Sequence, residues 1–239
     1  MYGVGNLAKC TSSGKATADD ILAINKIVRK VWYSKSVRLL LRGFNLYDDK
    51  NRTQLIGYTD ASHCRLKDLP ARVGFMFWVA PVPESSQTYG LDVLSRVDCA
   101  EAPALVPANP VLWKSKDVGR KVSSILDAEL ISAQWGSNLG LYLQSLYVEM
   151  GLVSPGTPVL ILNDNKSNVS HIRSTNRHTN PRLQALWAVL RENYDKGKIS
   201  LRWLCGQTKN VSDVLTTGKS NLTRLMLRYL LKGQIEVPA

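Results

Sequence analysis

The chain has 239 residues, 44% of them hydrophobic and 21% charged, with 31 Lys and Arg against 19 Asp and Glu, a net charge of +12. That length holds one well-buried domain with an appendage, and the composition excludes a disordered chain. No run approaches the roughly 18 to 20 consecutive apolar residues of a membrane-spanning helix, and no charged-then-apolar leader opens the chain, so a soluble intracellular protein with no membrane partner is expected.

Within residues 1–45 the pattern predicts a helix from Ala18 to Tyr33, capped by Thr17 or Asp19. Its apolar residues Ile21, Leu22, Ile24, Ile27, Val28 and Val31 mostly recur at helical spacing, so one face should be buried against a partner surface. A strand pair is expected next, Val37 to Arg42 with Gln54 to Asp60, joined by the polar turn Asp48-Asp49-Lys50-Asn51. Further strands should cover Val73 to Ala80 and Val111 to Ser115. The proline- and serine-rich stretch Pro81 to Pro110 between them reads as an irregular surface insertion.

The second half alternates helix and strand, the mark of an α/β layer architecture. A long helix is expected from Ser123 to Met150, closed by Gly151 and the Pro155-Gly156 turn, with Gly136 and Gly140 bending it or allowing close packing. Val159 to Asn163 reads as a strand delivering Asp164, and a short helix starts at Asn165. Asn180 caps a helix with Pro181 at its first position, ending near Gly197. Ile199 to Cys205 reads as a strand, Asn210 caps the helix carrying Asp213, and Asn221 to Lys232 forms a last basic helix. The cysteines Cys10, Cys64, Cys99 and Cys205 form no C-x-x-C pair and only three histidines are present, so reduced structural thiols are expected rather than a zinc site.

Four carboxylates stand out in this layout. Asp60 and Asp164 end apolar, β-branched-rich runs, while Glu129 and Asp213 lie on helical segments. Singly, each has an ordinary reading: a strand-end aspartate that caps a turn, or an acid that favours a helix dipole. Asp127 and Glu129 sit roughly 200° apart around one helix, so only one can face a common centre. Glu129 is chosen because it shares a stripe with Ile125, Leu126 and Ala133, whereas Asp127 falls beside Ser123 and Ser124. Together the four carboxylates can form an oxygen-only pocket for paired divalent ions. From Asn165 to Ala239 there are thirteen Lys and Arg against four Asp and Glu, a surplus suited to holding a polyanion.

From about Gln54 to Gly218 the chain resembles the ribonuclease H domain that ends the polyprotein of copia-type long-terminal-repeat retrotransposons. Four motifs carry this: G-Y-T-D-A-S as first strand, L-W-K-S-K followed by S-S-I-L-D-A-E-L as third strand and first helix, L-N-D-N-K-S as fourth strand and turn, and N-V-S-D-V-L-T as final acidic helix. The N-L-A-K and A-I-N-K-I-V-R-K segments of residues 1–45 look like the connection that follows the polymerase in such polyproteins. The resemblance implies a ribonuclease H-like mixed five-stranded sheet flanked by helices across residues 46–218, with 81–110 as insertion and 219–239 as a basic C-terminal helix and tail. It implies Asp60, Glu129, Asp164 and Asp213 as catalytic metal ligands for two Mg²⁺ ions, with Mn²⁺ as a substitute, and hydrolysis of the RNA strand of an RNA/DNA hybrid. The reverse transcriptase part of the same polyprotein is the implied protein partner, in a cytoplasmic virus-like particle or the nucleus. Thr217-Gly218 departs from the family, which commonly has a lysine after the last motif.

Arg173, Arg177, Arg182 and Lys209 are candidates for phosphate positioning. Leu46-Tyr47-Asp48-Asp49 is rejected as a polymerase motif because it lies in a polar turn and too few residues precede it for a palm and fingers. His63, His171 and His178 have no partner readable in the sequence, and Trp78, Trp113, Trp187 and Trp203 read as core. The competing function is a nucleic-acid-binding or scaffolding remnant that has lost turnover.

Overall fold

The structure, a computed structural model, describes residues 17–33, 39, 41, 43, 53–63, 71–81, 104–119, 122–174, 181–204, 210–217 and 220–237. A first helix, α1 (Ala18–Tyr33), precedes the strands β1 (Thr53–Ser62), β2 (Arg72–Pro81), β3 (Ala104–Pro107) and β4 (Asn109–Asp117). Then follow α2 (Ile125–Glu149), β5 (Val159–Asn163), α3 (Lys166–Arg173), a 3₁₀ turn (Pro181–Leu183), α4 (Gln184–Asp195) and β6 (Ile199–Trp203). The chain closes with α5 (Asp213–Thr216), α6 (Ser220–Lys232) and β7 (Gln234–Val237).

Five strands form a mixed sheet in the order β4-β2-β1-β5-β6. β1 pairs antiparallel with β2 and parallel with β5, β2 pairs antiparallel with β4, and β5 pairs parallel with β6. This is the mixed five-stranded sheet flanked by helices that the motifs imply. Among the described residues the partners of β1 are β2 on one side and β5 on the other. Most of 37–42, and the turn 48–51, lie outside the described residues. β4 is an edge strand, which is where Pro110, lacking an N–H, does no harm to the ladder; a bulge lies opposite, between Phe77 and Trp78.

Both faces of the central strands are buried, so β2 reads as a continuous rather than alternating apolar run, and β1 carries its buried polar residues toward the carboxylate end. Leu55, Val73, Phe75, Phe77, Ile161 and Leu201 pack with Ala128, Leu130, Ile131 and Ala133 of α2 in one core. Ile56, Tyr58, Met76, Trp78 and Leu162 pack with Leu215, Tyr229, Ile235 and Val237 in the other. The second core needs a cover, and α6 with the small antiparallel sheet β3–β7 supplies it. The Tyr58 hydroxyl donates to the Glu236 carbonyl at 2.6 Å, fastening β7 over the sheet. Residues 104–107, expected as irregular insertion, are thus a strand, and the tail beyond α6 is its partner. Neither short segment carries enough local pattern to show this alone.

α2 begins at Ser124, whose side chain accepts from the Asp127 amide, and ends before Gly151 at φ +69°. Its two inward glycines permit close packing: a Cβ on Gly136 would lie 2.4 Å from Thr59 Cγ2, and one on Gly140 2.9 Å from Val159 Cγ1. In α1 the Thr17 cap is present, with the Asp20 carboxylate accepting from the Thr17 amide at 2.7 Å. Its apolar face is not buried by the described residues, Ile21, Leu22 and Val28 being 60%, 57% and 58% exposed. Asn180 and all four cysteines lie outside the described residues.

Candidate metal centre

Because β1 and β5 run parallel, Asp60 near the end of β1 and Asp164 just past β5 arrive at the same end of the sheet. α2 crosses above them. The close contact at Gly136 lowers the helix onto β1, and Glu129, two turns earlier on the same side of the helix, reaches the strand ends. One carboxylate oxygen from each of Asp60, Glu129 and Asp164 lies within 4.8 Å of the other two. Asp60 and Glu129 are buried, and Asp164 is half-buried.

Hydrogen bonds hold these side chains in place. Glu129 Oε1 accepts from the Ala61 amide at 3.2 Å, and Oε2 from Asn163 Nδ2 at 3.2 Å. The same Asn163 amide donates to Thr59 Oγ1 at 3.1 Å. Ser132 Oγ donates to the Asp60 carbonyl at 2.7 Å, and the Trp203 indole N–H to the Asp164 carbonyl at 2.9 Å. On the opposite side, Asn210 Nδ2 donates to the Thr59 carbonyl at 3.0 Å and approaches Asp60 Oδ1 at 3.4 Å, and the Thr216 hydroxyl donates to Asp60 Oδ2.

The electrostatics fit a cation. Burial pushes the Glu129 carboxyl well above the usual range, and the neighbouring Asp60 and Asp164 charges push it further, against the lowering effect of the Asn163 and Ala61 donors. Three hard oxygen donors that repel one another could hold a divalent cation, whose charge would remove that repulsion.

Asp213 is buried but stands outside this group of three. It is the first residue of α5, and its Oδ1 accepts from Thr217 Oγ1 at 2.6 Å and lies 3.5 Å from Thr216 Oγ1. Asn210 does not cap α5 directly: its Oδ1 accepts from the Ser212 amide and hydroxyl, building the turn before the helix. Asp127 sits apart from the centre, as expected, bonded to the Ser123 hydroxyl. Ile125 and Leu126, expected on the buried stripe, are 53% and 36% exposed.

Arg173 donates to the Leu201 carbonyl at 3.0 Å, tying α3 to β6, while Arg182 is exposed in the 3₁₀ turn. Arg177, Lys209 and His178 lie outside the described residues. The His63 ring is 3.1 Å from the Val122 carbonyl, and His171 meets the Trp187 ring edge-on at 6.3 Å. Trp78 is core, but Trp113 on the edge strand is 44% exposed, and Trp203 carries Lys166 Nζ 5.1 Å from its ring centre. Sequence reasoning missed Asn163, Asn210 and Thr216. A polar residue ending an apolar strand was the available signal for Asn163; Asn210 read only as a helix cap, and Thr216 only as the end of the motif that carries Asp213.

Fold and centre together define an α/β domain, a mixed five-stranded sheet flanked by helices, with a cluster of three carboxylates where β1 and β5 end. No family model matches the chain, and no curated protein matches it. Among solved structures it is similar to the N-terminal RNase H domain of a Mycobacterium tuberculosis protein, at 14% identity and a TM-score of 0.43 over 74% of this chain and 98% of that one. RNase H1 from the archaeon Halobacterium salinarum gives 13% identity and a TM-score of 0.42 over 72% and 98%. The foamy viral protease-reverse transcriptase, solved with an RNA/DNA hybrid, gives 13% identity and a TM-score of 0.44 over 77% of this chain and 21% of that one. Among the described residues no helix is long and apolar enough to cross a membrane.

Proposed function

We propose that the protein is a metal-dependent endoribonuclease that hydrolyses the RNA strand of RNA/DNA hybrids. The observation that carries this reading is the convergence of Asp60, Glu129 and Asp164 oxygens within 4.8 Å where β1 and β5 end. Asp60 and Asp164 would hold the divalent ions, with Glu129 and Asp213 completing the sites. Bound there, such ions supply Lewis acidity for attack by water and countercharge for the leaving 3′ oxygen. The chain's own part is orientation: Asn163 and the Ala61 amide aim the two Glu129 oxygens, and the Trp203 indole braces the Asp164 main chain.

The basic excess along the second half holds the phosphate backbone in this reading, with Arg173, Arg177, Arg182 and Lys209 as phosphate-positioning residues, and selection for RNA rests on its 2′-hydroxyls. On the motif resemblance, this activity would serve reverse transcription by a copia-type element, beside the polymerase part of the same polyprotein, in a virus-like particle or the nucleus. Residues 1–45 would then be connection, 46–218 the nuclease with insertion 81–110, and 219–239 a basic appendage. One observation favours a catalytically idle nucleic-acid-binding remnant instead: Asp213 stands outside the group of three.

The deciding experiment incubates the protein with a labelled RNA/DNA hybrid in Mg²⁺, beside duplex DNA, duplex RNA and the Asp164→Asn variant. Cleavage of RNA in the hybrid alone, lost in the variant, supports the nuclease. Salt-sensitive hybrid binding without cutting supports the remnant, and undiminished cutting by Asp164→Asn removes the proposed site.

A further inference from the structure

We infer that Thr216 is a positioning residue of the acidic centre: its hydroxyl orients Asp60 and sets how tightly the centre binds a divalent ion. The inference rests on the nuclease reading above and adds a residue that touches neither ion nor substrate. Thr216 is 2% exposed and lies at the end of α5, where its hydroxyl meets Asp60 Oδ2, the Asp213 carbonyl at 3.1 Å and Asp213 Oδ1 at 3.5 Å. A hydroxyl has one proton to donate. Asp60 Oδ2 is the nearest of the three acceptors and takes it, while the next residue, Thr217, serves Asp213 Oδ1 at 2.6 Å. Two consecutive threonines thus hold one carboxylate each. Asn210 approaches the other Asp60 oxygen at 3.4 Å, so both oxygens of Asp60 have a donor on the α5 side, which aims their remaining lone pairs at Glu129 and Asp164.

An independent feature of the packing makes this contact possible. Gly74 on β2 is the register partner of Asp60, and a Cβ there would lie 2.8 Å from the Ser212 carbonyl oxygen, 2.9 Å from Leu215 Cβ and 3.0 Å from Thr216 Cγ2. Two of these three are atoms that cannot swing aside. Only glycine lets α5 sit close enough to the sheet for Thr216 to reach across to β1. Hydrogen-bond partners of metal-binding carboxylates commonly change ion affinity by about 10- to 100-fold when removed.

The test measures Mn²⁺ binding by the electron spin resonance of free ion, with the full chain and no substrate, for the unaltered protein, Thr216→Val and Thr216→Ser. Cleavage is then followed against Mg²⁺ concentration. Thr216→Val keeps the shape and removes the donor; it should weaken Mn²⁺ binding about 10-fold or more and raise the Mg²⁺ needed for half-maximal cleavage in step, with kcat at saturating Mg²⁺ less affected. Thr216→Ser should restore both. Gly74→Ala, which displaces α5 while retaining the hydroxyl, should weaken binding as Thr216→Val does. Equal Mn²⁺ affinity in Thr216→Val and the unaltered protein overturns the inference and leaves the nuclease reading standing. An unaltered protein that binds no Mn²⁺ overturns both.

Discussion

The two faces of the sheet deliver carboxylates by different means. On one face a 25-residue helix, α2, lies on glycines against β1 and carries Glu129 into the centre. On the other a four-residue helix, α5, carries Asp213 and depends on side-chain bonds from Asn210, Thr216 and Thr217. A helix of that length has little stability of its own, because nucleation costs more than one turn returns. Packing thus sets the position of α2, with two hydrogen bonds aiming Glu129, whereas α5 rests on side-chain hydrogen bonds, and of the two carboxylates only Glu129 stands in the group of three. The long-helix side should fail through stability, and the short-helix side through ion affinity.

The largest effect should come from the packed side's own carboxylate: Glu129→Gln is expected to abolish hybrid cleavage while retaining the fold by circular dichroism. Full activity in this variant would place the chemistry elsewhere. Next, Gly136→Ala forces a Cβ to 2.4 Å from Thr59 Cγ2 and should destabilise the protein by about 1–3 kcal/mol in denaturant unfolding. A neutral result would show that α2 can lift from β1 without cost.

Glu129→Gln also has a consequence for stability in metal-free protein. The folded carboxyl titrates well above its ordinary value near about 4.3, so the folded state binds this proton more tightly than the unfolded state does. Stability is then lost as pH rises from the ordinary carboxylate range through the raised folded value. The variant should melt on the order of a few degrees higher than the unaltered protein at neutral pH, with the gap closing toward pH 4. Excess divalent ion should raise the melting temperature of the unaltered protein alone; a gap that ignores both pH and ion would deny that burial and the neighbouring carboxylates make the Glu129 charge costly.

Smaller effects test the boundaries of each face. Tyr58→Phe removes the bond to the Glu236 carbonyl and should cost about 0.5–1.5 kcal/mol without changing ion binding, since β7 covers the second core away from the cluster. Asp127→Asn should leave cleavage intact and cost no more than about 1 kcal/mol, because Asp127 serves the first turn of α2. Loss of cleavage in that variant would exchange the roles assigned to Asp127 and Glu129.

How much was legible follows from where each signal is stored. β2, β5 and α2 were readable because apolar period, caps and turn glycines lie within the segments themselves. The exclusion of Asp127 was readable too, since helical geometry separates residues two apart. The β3–β7 pair was not: four residues on each side carry no period, and each becomes a strand only by meeting the other across more than a hundred residues. The apolar face of α1 shows the opposite case: a clear helical stripe says that a surface should be covered without saying by what, and the described residues do not cover it.

By itself, then, the sequence determined the local elements of the main sheet, the order of the four carboxylates along them, and the excess of positive charge in the second half. These rest on backbone preference and side-chain period, which act over a few residues. Tertiary structure alone decided that β1 lies between β2 and β5, that glycines bring α2 and α5 close to the sheet, and that Asn163 and Thr216 orient the carboxylates. Those outcomes depend on hydrogen bonds and van der Waals contacts between residues as far apart as Asp60 and Thr216, and such contacts exist only once the chain has folded.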